Sequence, residues 1–210
     1  MTLVKICGIT NLEDARHVMD CGADQLGFNF YEKSSRHISS QDARRIVDAL
    51  PVSSANIGVF VNKDIEEVLE IVKFVGLEGI QLHGDEDEFY ISNLTKQTNK
   101  FIVKAFRVSS RSAIDDATES NAHYVLLDGH SPTEQGGTGK TFNWDIAYDA
   151  AFLRPESVYL AGGLNPENVA QAIRKIMPYA VDVASGVESS KGKKDPDKIA
   201  AFIKAAKEAL

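Results

Sequence analysis

Cysteine is scarce in this sequence, and long apolar runs are missing. Cys7 and Cys21 are the two cysteines among 210 residues, and they form no CxxC motif. This usage excludes a disulfide scaffold and favours a reducing, cytoplasmic compartment. The N-terminus carries no signal-peptide core, and no apolar stretch reaches the ~18 residues of a membrane span, so we expect no membrane partner.

Clustered positive charge is also lacking. The formal net charge is −7 and the sequence pI is about 5.3. No basic stripe is present, which argues against a nucleic-acid partner. The densest basic run consists of Lys191, Lys193 and Lys194. A run this short is typical of a solvated loop, and we expect one here.

Linker-like segments rich in proline, glycine or serine are absent, so we expect residues 1–210 to form one domain. The chain is 43% hydrophobic, a normal value for a globular protein. At this length a chain buries a substantial core without disulfides or structural metals.

Short apolar runs alternate with longer amphipathic segments along the chain. The pattern predicts strands at residues 3–6, 25–28, 56–61, 79–82, 101–106, 123–127, 158–161 and 181–183. It predicts helices at residues 12–20, 40–50, 64–74, 86–96, 111–119, 144–152, 166–175 and 196–209, with Pro166 and Pro196 in first turns. Eight such units favour a single α/β domain, the (β/α)8 TIM barrel; a doubly wound open sheet is the alternative.

Alternation along the predicted strands separates inward from outward side chains. Apolar residues should face the helices, which directs Lys5 and Cys7 into the barrel. The same argument directs Gln81, His83 and Asp128 inward. Cys7, His83 and Asp128 each end a strand, and strand ends form the catalytic face of such barrels.

Two glycine-containing loops follow the last two predicted strands. One contains Gly162 and Gly163, and the other contains Ser185 and Gly186. Glycine lets backbone N–H groups approach an anion that a Cβ atom would block. Loops after strands 7 and 8 of these barrels commonly bind phosphate, so the pattern predicts a phosphorylated ligand.

Four other side chains are candidates for chemistry. Cys7 can act as a base or nucleophile once it is a thiolate. Asp128 can donate a proton if its surroundings raise its pKa. Arg36 offers a fork that matches a carboxylate. His83 can be a ligand, an acid or a polar core residue, and no metal-ligand spacing surrounds it, so no metal site is expected.

A glycine-rich segment at residues 136–141 only superficially matches a phosphate-binding P-loop. The motif requires glycine at position 134, where this chain has Glu134. We expect this segment to form a mobile lid after strand 6.

Several motifs together resemble the phosphoribosylanthranilate isomerase family of tryptophan biosynthesis. They are residues 5–10 (KICGIT), 27–30 (GFNF) with 34–36 (SSR), 58–62 (GVFVN), 81–84 (QLHG), 126–128 (LLD), 136–139 (GGTG) with Phe142 and Trp144, 160–164 (LAGGL) and 182–188 (DVASGVE). The resemblance implies a cofactor-free (β/α)8 barrel that performs an Amadori rearrangement of a phosphorylated aminosugar.

The same resemblance implies roles for individual residues. Cys7 corresponds to the general base, Asp128 to the general acid, and Arg36 to the group that binds the anthranilate carboxylate. The glycine loops correspond to the phosphate site, and we also expect His83 to contact the substrate. A monomer or weak homodimer is expected.

Three other readings share some of these features. Indoleglycerol-phosphate synthases and pentose-phosphate epimerases have similar phosphate loops, but the former rely on lysine chemistry and the latter on a metal. A catalytically silent phosphate-binding barrel would lack the acid or the base. Side activity on the histidine-pathway aminoaldose stays open.

Overall fold

Eight parallel strands close into one barrel in the computed structural model, which describes residues 1–51, 55–108, 111–129, 151–152, 154 and 156–210. Each strand pairs with the next along the chain, and β8 pairs with β1. The strands are β1 (Leu3–Cys7), β2 (Gln25–Asn29), β3 (Ala55–Phe60), β4 (Gly79–Leu82), β5 (Phe101–Arg107), β6 (Tyr124–Asp128), β7 (Val158–Ala161) and β8 (Ala180–Val183). The predicted barrel is confirmed, and the open sheet is excluded.

Helices cover the outside of this barrel. Those in the described segments are α1 (Leu12–Asp20), α2 (Ser40–Asp48), α3 (Ile65–Val75), α4 (Glu88–Gln97), α5 (Arg111–Glu119), α6 (Val169–Ile176) and α7 (Pro196–Lys207). Side chains of Asn11, Ser39, Asp87 and Asp195 accept hydrogen bonds from backbone N–H groups in the first turns. Each such cap contributes about 1 kcal/mol.

The helix after β7 begins later than the sequence pattern predicts. The Asn165 side chain accepts hydrogen bonds from the N–H groups of Glu167 and Asn168. These bonds hold Pro166 in a turn, so the prediction that Pro166 lies in the first helical turn is wrong. Pro196, in contrast, begins α7 as predicted. The predicted helix 144–152 and the predicted lid 136–141 lie outside the described residues, except that Ala151 and Phe152 are helical.

Apolar side chains separate into two layers, as the predicted alternation requires. The larger cluster lies between sheet and helices and includes Val4, Ile80 and Val125. The smaller cluster fills the barrel interior and includes Leu126 and Tyr159. This separation confirms the predicted orientation of β1, β4 and β6, and it directs Lys5 and Cys7 of β1 into the barrel interior.

A small hairpin follows β8 that the sequence analysis did not predict. A 3-10 turn (Ser185–Val187) leads into β9 (Glu188–Ser190), which pairs antiparallel with β10 (Lys193–Lys194). Lys194 lies opposite Glu188 in this pairing. The hairpin therefore places two charged residues next to the second glycine loop. None of the described helices has the length and apolar character needed to cross a membrane.

Candidate active site

The predicted site residues gather at the mouth formed by the carboxyl ends of the strands. Cys7 ends β1 and Asp128 ends β6, while Arg36 lies in the loop after β2. The glycine loops follow β7 and β8, and the strand order β6-β7-β8-β1-β2 makes these five positions consecutive around the rim. The acid and base candidates are therefore separated on the rim by the two glycine loops.

Cys7 is buried, and its thiol lies beside the ammonium group of Lys5. Burial raises the pKa of this thiol, and the positive charges of Lys5 and Lys194 offset the rise only in part. One reason is that Lys5 is paired with Asp182, whose negative charge itself raises the pKa of Cys7. The thiol of the ligand-free protein is therefore mostly protonated near neutral pH.

Lys5 and Asp182 form a buried ion pair inside the barrel. The two residues are register partners on β1 and β8, and the Lys5 Nζ to Asp182 Oδ1 distance is 2.9 Å. Asp182 thus holds the positive charge of Lys5 next to Cys7, inside the barrel. Gly27 makes room on the other side, because a Cβ atom there would lie 2.7 Å from Cys7 Sγ and 3.0 Å from Lys5 Nζ.

Asp128 has more open surroundings. Its side chain is 20% exposed, and its Oδ2 lies 3.4 Å from Nε2 of His83. The amide nitrogen of Gln81 donates to Nδ1 of the same imidazole, at 2.9 Å. With Nδ1 accepting, the neutral ring carries its proton on Nε2, facing the carboxyl group. A cavity of about 250 Å³ beside His83 is lined in part by Lys104.

The guanidinium of Arg36 is held by Glu188. Nε donates to Oε1 at 2.6 Å and Nη2 donates to Oε2 at 2.7 Å, a bidentate pair. The Arg36 stem packs on Gly8, where a Cβ atom would lie 2.6 Å from Arg36 Cδ. Gly8 directly follows Cys7, so this packing places the guanidinium next to the base candidate. The other edge of the guanidinium is the fork that fits a ligand carboxylate.

Lys194 is buried, which makes the prediction of a solvated loop wrong for this residue. Its Nζ donates to the carbonyl oxygens of Cys7 at 2.6 Å and Ala184 at 2.9 Å, and it lies 3.3 Å from Oε1 of Glu188. Lys191 and Lys193 are exposed as expected. The hairpin explains the difference, since neighbouring strand residues face opposite sides.

The two glycine loops touch each other and the acid candidate. Gly162 and Gly163 have φ values of 84° and 71°, in the left-handed region that favours glycine. A Cβ atom on Gly162 would lie 2.7 Å from Asp128 Oδ1, and one on Gly186 would overlap the carbonyl oxygen of Leu164. No described atom lies within 4 Å of a Cβ position on Gly163, so this side of the loop is open to a ligand.

Metal-ligand geometry is not formed in the described part of the chain. No group of three or more His, Cys, Asp or Glu side chains there comes together as a candidate metal site. The expectation that the reaction needs no metal or cofactor stays a prediction, which a chelator can test.

Two groups of residues were missed or undervalued from the sequence. Lys194 pairs with Glu188 and with the carbonyl group of Cys7, which is 187 positions away. The residues next to Lys194 in the sequence therefore give no sign that it is buried at the site. Lys104 and Glu86 form a second buried ion pair, with Nζ 2.8 Å from Oε2. A lone lysine inside the apolar run 101–106 was the available signal for that pair.

Comparison with known proteins gives the same assignment along nearly the whole chain. The model of the family described as N-(5'phosphoribosyl)anthranilate (PRA) isomerase matches residues 4–205. A curated N-(5'-phosphoribosyl)anthranilate isomerase from Trichlorobacter lovleyi is 48% identical over 210 residues, which are 100% of both chains.

Solved structures agree with the sequence comparison. The crystal structure of phosphoribosyl anthranilate isomerase from Thermotoga maritima has a TM-score of 0.91 and 45% identity, covering 99% of each chain. Another isomerase structure, in complex with reduced 1-(o-carboxyphenylamino)-1-deoxyribulose 5-phosphate, has a TM-score of 0.87 and 42% identity, again covering 99% of each chain. This chain belongs to the N-(5'-phosphoribosyl)anthranilate isomerase family.

Proposed function

We propose that the chain isomerises N-(5′-phosphoribosyl)anthranilate to 1-(2-carboxyphenylamino)-1-deoxyribulose 5-phosphate, with Cys7 as general base and Asp128 as general acid. Family membership supports the reaction, which belongs to tryptophan biosynthesis. The observation that carries the residue roles is the rim order, in which an acid, two glycine loops, a thiol and an arginine follow one another on β6, β7, β8, β1 and β2.

The substrate has an anion at each end, and the rim offers a matching group for each. Its phosphate binds the backbone N–H groups of Gly162, Gly163, Ser185 and Gly186, because Gly163 and Ser185 are exposed and the Cβ position of Gly163 is unobstructed. Its anthranilate carboxylate binds the outer edge of Arg36. These two contacts hold the sugar between β6 and β1.

The acid step opens the sugar ring. Asp128 donates a proton to the ring oxygen, the bond from C1 to that oxygen breaks, and the nitrogen lone pair forms a C1=N double bond with positive charge on nitrogen. Asp128 must therefore enter the reaction protonated. His83, with its Nε2 proton directed at Oδ2, then stabilises the carboxylate that forms.

The base step follows from the positive charge now on the substrate. The cationic nitrogen acidifies the proton on C2, and the Cys7 thiolate removes it to give an enolamine, which tautomerises to the ketone. The same cation favours the thiolate over the thiol, since an opposite charge within a few ångströms lowers a thiol pKa, so the thiol proton is released to solvent before Cys7 takes the proton from C2. The substrate acts as its own electron sink, so no cofactor takes part.

We further infer that the enzyme works in the cytoplasm, where reducing conditions keep the Cys7 thiol free. We also propose a monomer or weak homodimer, because every group used in these steps comes from one chain. A dimeric isomerase is known from Thermotoga maritima. Light scattering at assay concentration distinguishes the two states, and a tight dimer would contradict the proposal.

The test of the function follows substrate fluorescence with the purified chain. Freshly made N-(5′-phosphoribosyl)anthranilate is added in the presence of a chelator, and we expect its fluorescence to fall at a rate proportional to enzyme concentration. No turnover with or without chelator would contradict the function. Turnover that a chelator abolishes would contradict the metal-free mechanism alone.

A further inference from the structure

Glu188 and Lys194 are buried charges that the acid–base steps do not use. They lie opposite each other in the β9–β10 hairpin, directly after the second glycine loop. Only 7% of Glu188 and 3% of Lys194 is exposed. A barrel closes without such a hairpin, and burying two charges is unfavourable unless both are well paired. Their arrangement therefore needs a reason beyond the fold.

The Glu188 carboxylate is surrounded by donors. It receives Nε and Nη2 of Arg36, the Nζ of Lys194 at 3.3 Å and the backbone N–H of Gly192 at 3.2 Å. Burial alone would raise the pKa of Glu188, but the hydrogen bonds from Arg36 and the charge of Lys194 lower it below its usual value. Glu188 is therefore a permanent anion that fixes one edge of the guanidinium.

Lys194 in turn fixes Glu188 to the catalytic mouth. Its bonds to the carbonyl oxygens of Cys7 and Ala184 join the ends of β1 and β8. The hairpin also packs against the Arg36 loop, because a Cβ atom on Gly192 would lie 2.7 Å from the carbonyl oxygen of Ser35. The base, the second glycine loop and Arg36 are thus held in one buried network.

We propose that Glu188, anchored by Lys194, is a positioning residue that turns the outer edge of Arg36 toward the substrate carboxylate and so selects carboxylated aminosugars. Two of the five guanidinium N–H groups are used by Glu188, and in the described part of the chain the other three have no acceptor. Nη1 and the second Nη2 hydrogen form the remaining fork, which matches a carboxylate. The inference rests on the carboxylate-binding role of Arg36 in the proposed function.

The test compares two substrates that differ only in the carboxylate, N-(5′-phosphoribosyl)anthranilate and N-(5′-phosphoribosyl)aniline. The measured quantity is the ratio of their kcat/KM values. We expect Glu188→Gln to lower this ratio about tenfold, mainly by raising KM for the carboxylated substrate, because an aligned charged hydrogen bond is lost. The aniline substrate should keep its kcat and KM. Lys194→Met should shift the ratio in the same direction.

Arg36→Ala and the double variant Arg36→Ala/Glu188→Gln are the controls. If Glu188 acts by positioning Arg36, Glu188→Gln should have no further effect on the ratio in the Arg36→Ala background. If Glu188 has only a structural role, Glu188→Gln should lower the ratio in that background as well. If Arg36→Ala lowers the ratio and Glu188→Gln does not, the inference is overturned and the proposed function stands. If neither lowers it, the Arg36 role itself is wrong and the inference fails with it.

A rise in the ratio for Glu188→Gln would also overturn the inference, since Glu188 would then compete with the substrate carboxylate. Thermal unfolding monitored by circular dichroism establishes that each variant is folded. If Glu188→Gln does not fold, Glu188→Asp takes its place, because the shorter side chain keeps the charge and cannot hold the same bidentate geometry. The same lowered ratio is expected from it.

Discussion

The two proposed catalytic groups lie in opposite surroundings on the same rim. Cys7 is buried, with Lys5 and Asp182 beneath it and Lys194 on its backbone. Asp128 is one-fifth exposed, lies beside His83, and directly precedes the segment after β6. The proposed base lies in an interior network of fixed charges, whereas the proposed acid is partly exposed.

This contrast indicates how the protonation states are set. A fixed ion pair next to Cys7 has little net charge, so burial dominates and keeps the thiol protonated until the substrate's cation arrives. Asp128 is more exposed, and its Oδ2 lies 3.4 Å from Nε2 of His83. We therefore expect the proposed base to be sensitive to packing and to charge, and the proposed acid to be sensitive to changes at His83.

Removing the acid should lower kcat as strongly as removing the base. Asp128→Asn keeps the shape but cannot donate the proton, so kcat should fall about 10²- to 10⁴-fold. KM should change little, because the phosphate and carboxylate contacts remain. Steady-state kinetics on both proteins measures this, with Asp20→Asn on the outer surface as a matched control. Retained turnover would remove Asp128 from the mechanism.

The pH dependence tests the state of the base in the free enzyme. Because burial raises the pKa of Cys7 above the ordinary thiol value, the thiolate fraction is small at neutral pH and grows as pH rises. The rate at which iodoacetamide alkylates Cys7, measured in a Cys21→Ser background, should therefore increase from pH 7 to pH 9 by about tenfold per unit. A plateau reached below pH 8 would show that the cations outweigh burial.

Packing around the base predicts a smaller but specific loss. Gly27→Ala places a methyl group against Cys7 Sγ and Lys5 Nζ, so kcat should fall about tenfold through the displaced thiol. Gly58→Ala on the neighbouring strand is the matched control, because its methyl group would meet Leu77 and Phe60 on the helix side.

The Gly58→Ala control should lose thermal stability and keep its kcat. Gly27→Ala should lose kcat and keep most of its thermal stability. Thermal unfolding and steady-state kinetics on both variants separate the two effects. Equal losses of kcat in the two variants would mean that general strain, and not the position of the thiol, limits the rate.

The smallest expected effect concerns the neighbour of the acid. His83→Asn keeps a donor but shifts it, so kcat should fall about two- to fivefold, which is less than the full loss of a hydrogen bond to a charged group. In Asp128→Asn the same change should have almost no effect, because the carboxylate it stabilises is absent. Additive losses in the double variant would contradict this pairing.

Much of this architecture could be predicted from sequence periodicity. All eight strand bounds were predicted to within one residue, since parallel buried strands have short apolar runs. The inward direction of Lys5, Cys7 and Asp128 followed from alternation. The site motifs at strand ends then gave the candidate acid and base.

The charge network could not be predicted in the same way, because its partners are distant in sequence. Lys5 pairs with Asp182 across 177 positions, and Lys194 reaches Cys7 across 187. The β9–β10 hairpin has three and two residues in its strands, too short for a periodic signal. The sequence therefore predicted a solvated loop for the basic run 191–194, and only the fold shows that Lys194 is buried opposite Glu188.

The most direct test of the account is turnover by Cys7→Ser, measured as loss of substrate fluorescence with chelator present. Serine keeps the size and cannot form the anion near neutral pH, so kcat should fall about 10²- to 10⁴-fold with KM nearly unchanged. Cys21→Ser, at the partly exposed second cysteine, should retain wild-type turnover. Near wild-type turnover by Cys7→Ser would contradict the assignment of the buried thiol as the base.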